Sequence, residues 1–147
     1  MSRHKHARSR QKGKERSTVA IAFNHTIVAA RDKQESAEFL SELFGLPTPT
    51  PFGHFQVVTL EHGASLDFAD APAGEEIRPQ HYAFLVSDDD FDAIYGKIQS
   101  RGLEHWADPQ AQRPGEINHK HGGRGVYFRD PSGHFLEIIT RPYGSGG

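Results

Sequence analysis

The sequence predicts an α+β fold in which two βαβββ modules form a curved mixed β-sheet cleft. Two internal alignments carry this prediction. Residues 24–28 align with residues 80–84, since each segment has an amide side chain, a histidine and a strand-like run. Residues 63–68 likewise align with residues 133–138. Self-similarity of this kind indicates two copies of one supersecondary unit.

The first module is predicted to open with a strand that leads into an amphipathic helix. Asp32, with Glu35 three residues later, resembles a capping box, and Gly45 is the expected stop signal. Two strands, 55–60 and 65–68, should follow. The helical residues expected to face the core are Ala37, Leu40, Leu43 and Phe44.

The second module repeats this order. Ser87 and the acidic residues 88–90 supply a helix cap and first-turn charge, and Gly102 marks the helix end. Strands are predicted at 125–128 and 134–140, joined by an Asp-Pro-Ser-Gly sequence that suits a type I turn. The helical residues that share one face are Phe91, Ile94, Tyr95 and Ile98.

The length of 147 residues suits one domain. We place it at residues 21–143, with module one in 21–72 and module two in 79–141. Residues 1–20 carry seven Lys/Arg residues and one Glu, a net charge of +6. Residues 21–147 carry ten Lys/Arg residues and eighteen Asp/Glu residues, a net charge of −8. The basic tail has almost no apolar residues, so we expect a disordered, solvated extension or one that packs on a partner chain.

Composition narrows the functional classes. The chain has no cysteine, so any metal must be held by imidazole and carboxylate. No apolar run is long enough to span a bilayer, and the N-terminus lacks the apolar region of a secretory signal. A cytoplasmic setting is the expectation. The acidic body argues against a nucleic acid or a membrane as partner.

Strand alternation then predicts a metal site. Leu136 and Ile138 should pack under a helix, so Glu137 between them faces the opposite way. By the same reasoning Asp67 faces inward in the equivalent strand, and the histidines of both first strands lie on the open face. The four candidate ligands are His25, Asp67, His81 and Glu137. This donor set suits Zn, Ni, Mn, Co or Fe(II), and the sequence leaves the metal's identity open.

The closing hairpin, residues 125–137, resembles that of the vicinal oxygen chelate superfamily, which includes glyoxalase I, fosfomycin-resistance transferases, bleomycin-resistance proteins and extradiol dioxygenases. The Asn24-His25-Thr26 segment resembles the family's opening strand. The resemblance implies that His25, His81 and Glu137 bind a divalent ion. It also implies a small substrate that chelates this ion through neighbouring oxygens, and Lewis-acid chemistry on it.

Asp67 departs from the family's pattern, in which glyoxalase I and the epimerases usually have Glu or Gln. If Asp67 stays off the metal, the other three form a two-His-one-carboxylate site with open positions for a bidentate substrate or for substrate plus O₂. If Asp67 ligates, the site resembles the lyase and isomerase type. The resemblance suggests Glu137 as the first choice for a mobile catalytic base and Asp67 as the second.

The loop 104–124 is a candidate lid or specificity element. We predict that His119, His121 and Arg124 contact the substrate. The alternative is a solvated loop whose histidines have no catalytic role.

Two functions from different classes stay open at this point. The first is a metal-dependent enzyme, with either lyase/isomerase or dioxygenase chemistry. The second is a metal-free protein that sequesters an antibiotic or a metabolite, as bleomycin-resistance proteins do. Chains of this length in the family commonly form homodimers. The sequence does not say whether the site lies within one chain or is shared between two.

Overall fold

The computed structural model describes residues 19–146. The basic tail predicted at 1–20 therefore lies outside the described residues, except for its last two positions. Each half of the described chain has the strand-helix-three-strand order that the repeat predicts. The first half consists of β1 (His25–Ala30), α1 (Lys33–Phe44), β2 (Thr50–Phe52), β3 (Phe55–Thr59) and β4 (Ser65–Asp70). The second consists of β5 (His81–Leu85), α2 (Asp88–Ser100), β6 (His105–Trp106), β7 (Gly125–Arg129) and β8 (Phe135–Ile139).

The strands form two mixed four-stranded sheets with matching topology. Their strand orders are β1-β4-β3-β2 and β5-β8-β7-β6. In each sheet the first strand of the module pairs in parallel with its last strand, and the remaining pairs are antiparallel. The predicted α+β architecture of two βαβββ modules is confirmed.

Both helices begin and end where their sequence signals predict. The Asp32 carboxylate accepts hydrogen bonds from the backbone N–H groups of Gln34 and Glu35, and Gly45 ends α1 in the left-handed region at φ 67°. The Ser87 hydroxyl accepts from the N–H of Asp90 at the start of α2. These caps satisfy backbone donors that have no partner inside a helix.

One hydrophobic core joins the two modules. It takes residues from the helix-facing side of both sheets, including Val28, Phe68, Leu136 and Ile138, together with the buried faces of α1 and α2. Because side chains alternate along a strand, the other side of each sheet points away from this shared core. The candidate ligands lie on that other side.

Polar contacts between the modules fix their relative orientation. His134 is buried; its Nδ1 accepts from the N–H of Gln80 at 2.9 Å, and its Nε2–H donates to the Ala29 carbonyl at 2.7 Å. Arg31 donates to the Pro131 carbonyl, and its N–H donates to the Ser132 hydroxyl. His134 therefore connects the two modules.

Within residues 19–146, none of the helices has both the length and the apolar character needed to cross a bilayer.

Candidate metal centre

The two histidine–carboxylate pairs occupy equivalent positions in the two sheets. In the first, Ile27 on β1 is the register partner of Asp67 on β4. In the second, Ala83 on β5 is the register partner of Glu137 on β8. Each histidine is the first residue of its strand. It lies two residues before the residue that pairs with the carboxylate. The backbone thus presents both pairs in the same way, as the repeat predicts.

The second pair is in direct contact. Nε2 of His81 lies 3.0 Å from Oε1 of Glu137. The Glu137 side chain is only 2% exposed, whereas the imidazole of His81 is half-exposed. No Lys or Arg forms an ion pair with Glu137 among the described residues. Glu137 therefore presents its carboxylate oxygens beside the half-exposed imidazole of His81.

Two tyrosines complete the surroundings of Glu137. The hydroxyl of Tyr143 lies 2.7 Å from Oε1 and 2.8 Å from Oε2, and donates its proton between them. The hydroxyl of Tyr127 lies 3.3 Å from that of Tyr143. Burial is the main cause that raises the pKa of both phenols, and the nearby Glu137 charge adds to it. Both groups therefore remain neutral hydrogen-bond donors near pH 7.

The first pair is arranged differently. Asn24 Oδ1 accepts a 2.6 Å bond from Nδ1–H of His25, because an amide oxygen can only accept. This tautomer leaves a lone pair on Nε2, which is the state that a metal ligand needs. Asp67 accepts a 2.7 Å bond from the Ser65 hydroxyl and makes no contact with His25. Both line a cavity of about 520 Å³ that is also lined by Phe52, Phe55 and Val57.

The four predicted ligands do not converge within one chain. No group of three or more His, Cys, Asp or Glu side chains is close enough to hold an ion among residues 19–146. The shared core explains this, since each sheet turns its helix-facing side toward the other module and its ligand-bearing side away. One chain thus carries two separate histidine–carboxylate pairs, His25 with Asp67 and His81 with Glu137, which we call the first and second candidate half-sites.

The predicted loop residues fall into two groups. His121 and Arg124 line a small cavity, about 150 Å³, together with Glu137 and Tyr143. The guanidinium of Arg124 is held by Asp92 at 2.6 Å and lies 4.4 Å from the centre of the Phe91 ring. His119 is exposed and does not line this cavity. Substrate contacts by these residues remain a prediction, and His121 has the position that favours it most.

The second half-site fits a divalent ion. Two donor atoms that each lie about 2.1 Å from one ion, at right angles, are separated by about 3 Å. Nε2 of His81 and Oε1 of Glu137 lie 3.0 Å apart, a separation shared by a hydrogen bond and by two adjacent ligands of one ion. One nitrogen and one oxygen donor, with no thiolate, suit Zn, Mn, Co, Ni or Fe(II). His25 would supply a second imidazole only from another chain.

Sequence reasoning missed the two tyrosines. Hairpin pairing would have found Tyr127, since the turn at residues 130–133 places it opposite Glu137 in the β7–β8 register. Tyr143 follows β8 in an irregular segment, where neither alternation nor repeat symmetry predicts which way a side chain points.

The chain is similar to known proteins over most of its length. The family model described as Glyoxalase/Bleomycin resistance protein/Dioxygenase superfamily matches residues 22–138. Two solved structures, named Oxidase ChaP-H1 and Oxidase ChaP-H2, are each 57% identical to this chain. Their TM-scores are 0.82 and 0.84, with 86% and 88% of this chain covered and 100% of each of theirs.

A curated relative is more distant. Glutathione transferase FosA of Serratia marcescens is 28% identical over 123 residues, which are 80% of this chain and 79% of the relative. The oxidases thus resemble the chain more strongly than this transferase does.

Proposed function

Because this chain belongs to the Glyoxalase/Bleomycin resistance protein/Dioxygenase superfamily, we propose that it is a divalent-metal-dependent oxidase or oxygenase. Its substrate would be a small molecule that binds the ion through two neighbouring oxygens. The observation that carries the proposal is the His81–Glu137 pair, whose donor atoms are spaced as adjacent ligands of one ion. The 57% identity to two proteins named oxidases favours oxidative chemistry over isomerisation.

The ligand set we propose is His25 from one chain with His81 and Glu137 from a second. This is a two-His-one-carboxylate set, which leaves positions open. Asp67 would lie beside the ion rather than on it, because its carboxylate is turned to Ser65 and its side chain is one methylene shorter than that of Glu137. A homodimer with two-fold symmetry would then contain two such sites.

Apolar exposure on the ligand-bearing faces supports this pairing. Ile27, two residues after His25, is 57% exposed, and Leu85, on the same strand as His81, is 61% exposed. Phe52 at the edge of the first sheet is 72% exposed. Both faces thus expose large apolar side chains, which are typical of an interface when they lie on one patch. Packing the first sheet of one chain over the second sheet of another would cover them.

The protein's own residues would position the substrate and move protons. A bound divalent ion would supply Lewis-acid chemistry and open positions for the substrate and O₂. Asp67 lines the same cavity as His25, so it would be the carboxylate that accepts a substrate proton. His121 lines the cavity beside Glu137 and would orient a polar part of the substrate. The apolar faces would exclude water from the reacting groups.

Complementation between chains tests the shared site. H25A and H81A homodimers should each bind almost no metal. In a mixture refolded together, each mixed dimer regains one site with both histidines, so metal binding should return to roughly a quarter of the wild-type level. No recovery would show that His25 and His81 do not meet across chains. H62A, which removes an exposed turn histidine, is the matched control.

Oxygen consumption tests the chemistry. Protein loaded anaerobically with Fe(II) should take up O₂ when a catechol-type substrate panel is added, and the H81A variant should not. Conversion of a substrate without O₂ uptake would favour lyase or isomerase chemistry. A wild-type protein that binds no divalent ion yet binds an aromatic ligand tightly would favour sequestration.

A further inference from the structure

A short segment after β8 closes over the second half-site. We call residues 142–146 the strap. It lies against the turn formed by Lys120–Gly122. Nδ1 of His121 accepts a 2.9 Å hydrogen bond from the N–H of Gly144. The rings of His121 and Tyr143 are stacked, with centroids 4.7 Å apart.

Glycine at position 146 is required for this close approach. A Cβ there would lie 2.9 Å from the Cα of Gly122 and 3.0 Å from the carbonyl oxygen of His121. The φ of Gly146 is also +67°, a conformation that other residues rarely adopt. A side chain at this position must lift the strap away from the turn.

The strap brings one polar group to the half-site, the hydroxyl of Tyr143. Its single proton is directed at the Glu137 carboxylate, so Tyr127 is the donor and Tyr143 the acceptor in the hydrogen bond between the two phenols. His81 approaches only Oε1, and Tyr143 reaches both oxygens. Tyr143 therefore limits rotation of the carboxylate about its last bond, together with His81.

We propose that Tyr143 is a positioning residue that orients Glu137 as a metal ligand, an inference that rests on the proposed function. Hydrogen-bonded partners of a ligating carboxylate set its orientation, and removing one typically weakens metal binding about 10–100-fold. Because His121 holds the strap, ligand orientation is coupled to the loop predicted to contact the substrate. Tyr143 contacts the ligand and not the reacting atoms, so its role is indirect.

Titration with Co(II) tests the proposal, since this ion's visible absorption reports both binding and coordination. The Y143F variant should bind Co(II) about 10–100-fold more weakly than the wild type and show shifted visible bands. G146V keeps the phenol but displaces the strap, so it should weaken binding in the same way. Y95F is the matched control, because that phenol contacts His105 away from the half-sites.

The outcomes separate this inference from the proposed function. Unchanged or tighter Co(II) binding by Y143F would overturn the role of Tyr143 alone. A lower melting temperature of the metal-free variant, with unchanged affinity and absorption, would do the same, because the strap would then be only structural. A wild-type protein that binds no Co(II) would overturn both proposals. If G146V does not fold, the comparison of Y143F with Y95F still decides.

Discussion

The two histidine–carboxylate pairs have the same strand register but differ in what holds each carboxylate. Glu137 contacts His81 directly and accepts a hydrogen bond from Tyr143, which follows it just beyond the end of β8. Asp67 is held by Ser65 on its own strand and does not reach His25. The longer carboxylate thus joins its histidine, and the shorter one stays apart.

The two candidate ligand histidines also differ in the hydrogen bonds made by the amide residue that precedes each of them. The side chain of Asn24 holds His25 by Nδ1, which leaves Nε2 available. In the second module the side chain of Gln80 instead contacts backbone carbonyls, and its N–H binds His134. The same strand layout therefore carries two non-equivalent histidine–carboxylate pairs, one in direct contact and the other with an imidazole whose Nε2 is available. This asymmetry suits a site that needs open coordination positions.

The largest expected effect compares the two carboxylates directly. E137Q should weaken divalent-metal binding by at least about 100-fold, because it removes a charged ligand. D67N should weaken it by about 10-fold or less, as expected for a group beside the ion. Competition with a chelator measures both affinities. Equal losses in the two variants would show that Asp67 is itself a ligand and would remove the asymmetry.

The proposed pairing of the two open faces is tested by variants that leave every candidate ligand in place. I27D or L85D places a charge on an exposed apolar position of one face. Both variants should be monomeric by light scattering and should bind metal at least about 10-fold more weakly, because a buried unpaired charge opposes association. Q99D, on the exposed side of α2, should remain dimeric. A monomer with full metal affinity would place the site within one chain.

Lengthening Asp67 should make the two half-sites more alike. In D67E the carboxylate can reach toward the ion as Glu137 does, so metal affinity should rise by about 10-fold while Fe(II)-dependent O₂ uptake falls by a similar factor. Titration and oxygen-electrode measurements follow the two effects. Higher affinity with undiminished O₂ uptake would mean that no open position was lost.

The smallest expected effect concerns the contacts that orient the modules. H134A removes the buried imidazole that links Gln80 to Ala29. It should lower the free energy of unfolding by roughly 2–3 kcal/mol, because two backbone groups lose their partner. Urea denaturation measures this, with the exposed-site variant H62A as control. A loss no larger than that of H62A would indicate that the shared apolar core alone sets the orientation.

Local signals in the sequence determined most of the fold. Asp32, Ser87 and Gly45 predicted the helix ends because capping depends on a few neighbouring residues. The internal repeat predicted both modules, and strand alternation placed His25, Asp67, His81 and Glu137 on the faces opposite the helices. These features follow from periodicity and short-range hydrogen bonding, and both can be read from the order of the residues in one sequence.

Only the tertiary structure decided how these residues meet. The shared core turns the two ligand-bearing faces away from each other, so the four residues form two half-sites rather than one site. Contact between His81 and Glu137, and the absence of contact between His25 and Asp67, depends on side-chain length across neighbouring strands. Tyr143 reaches Glu137 through an irregular strap, whose path is determined by packing on His121 and Gly122 and not by any period in the sequence.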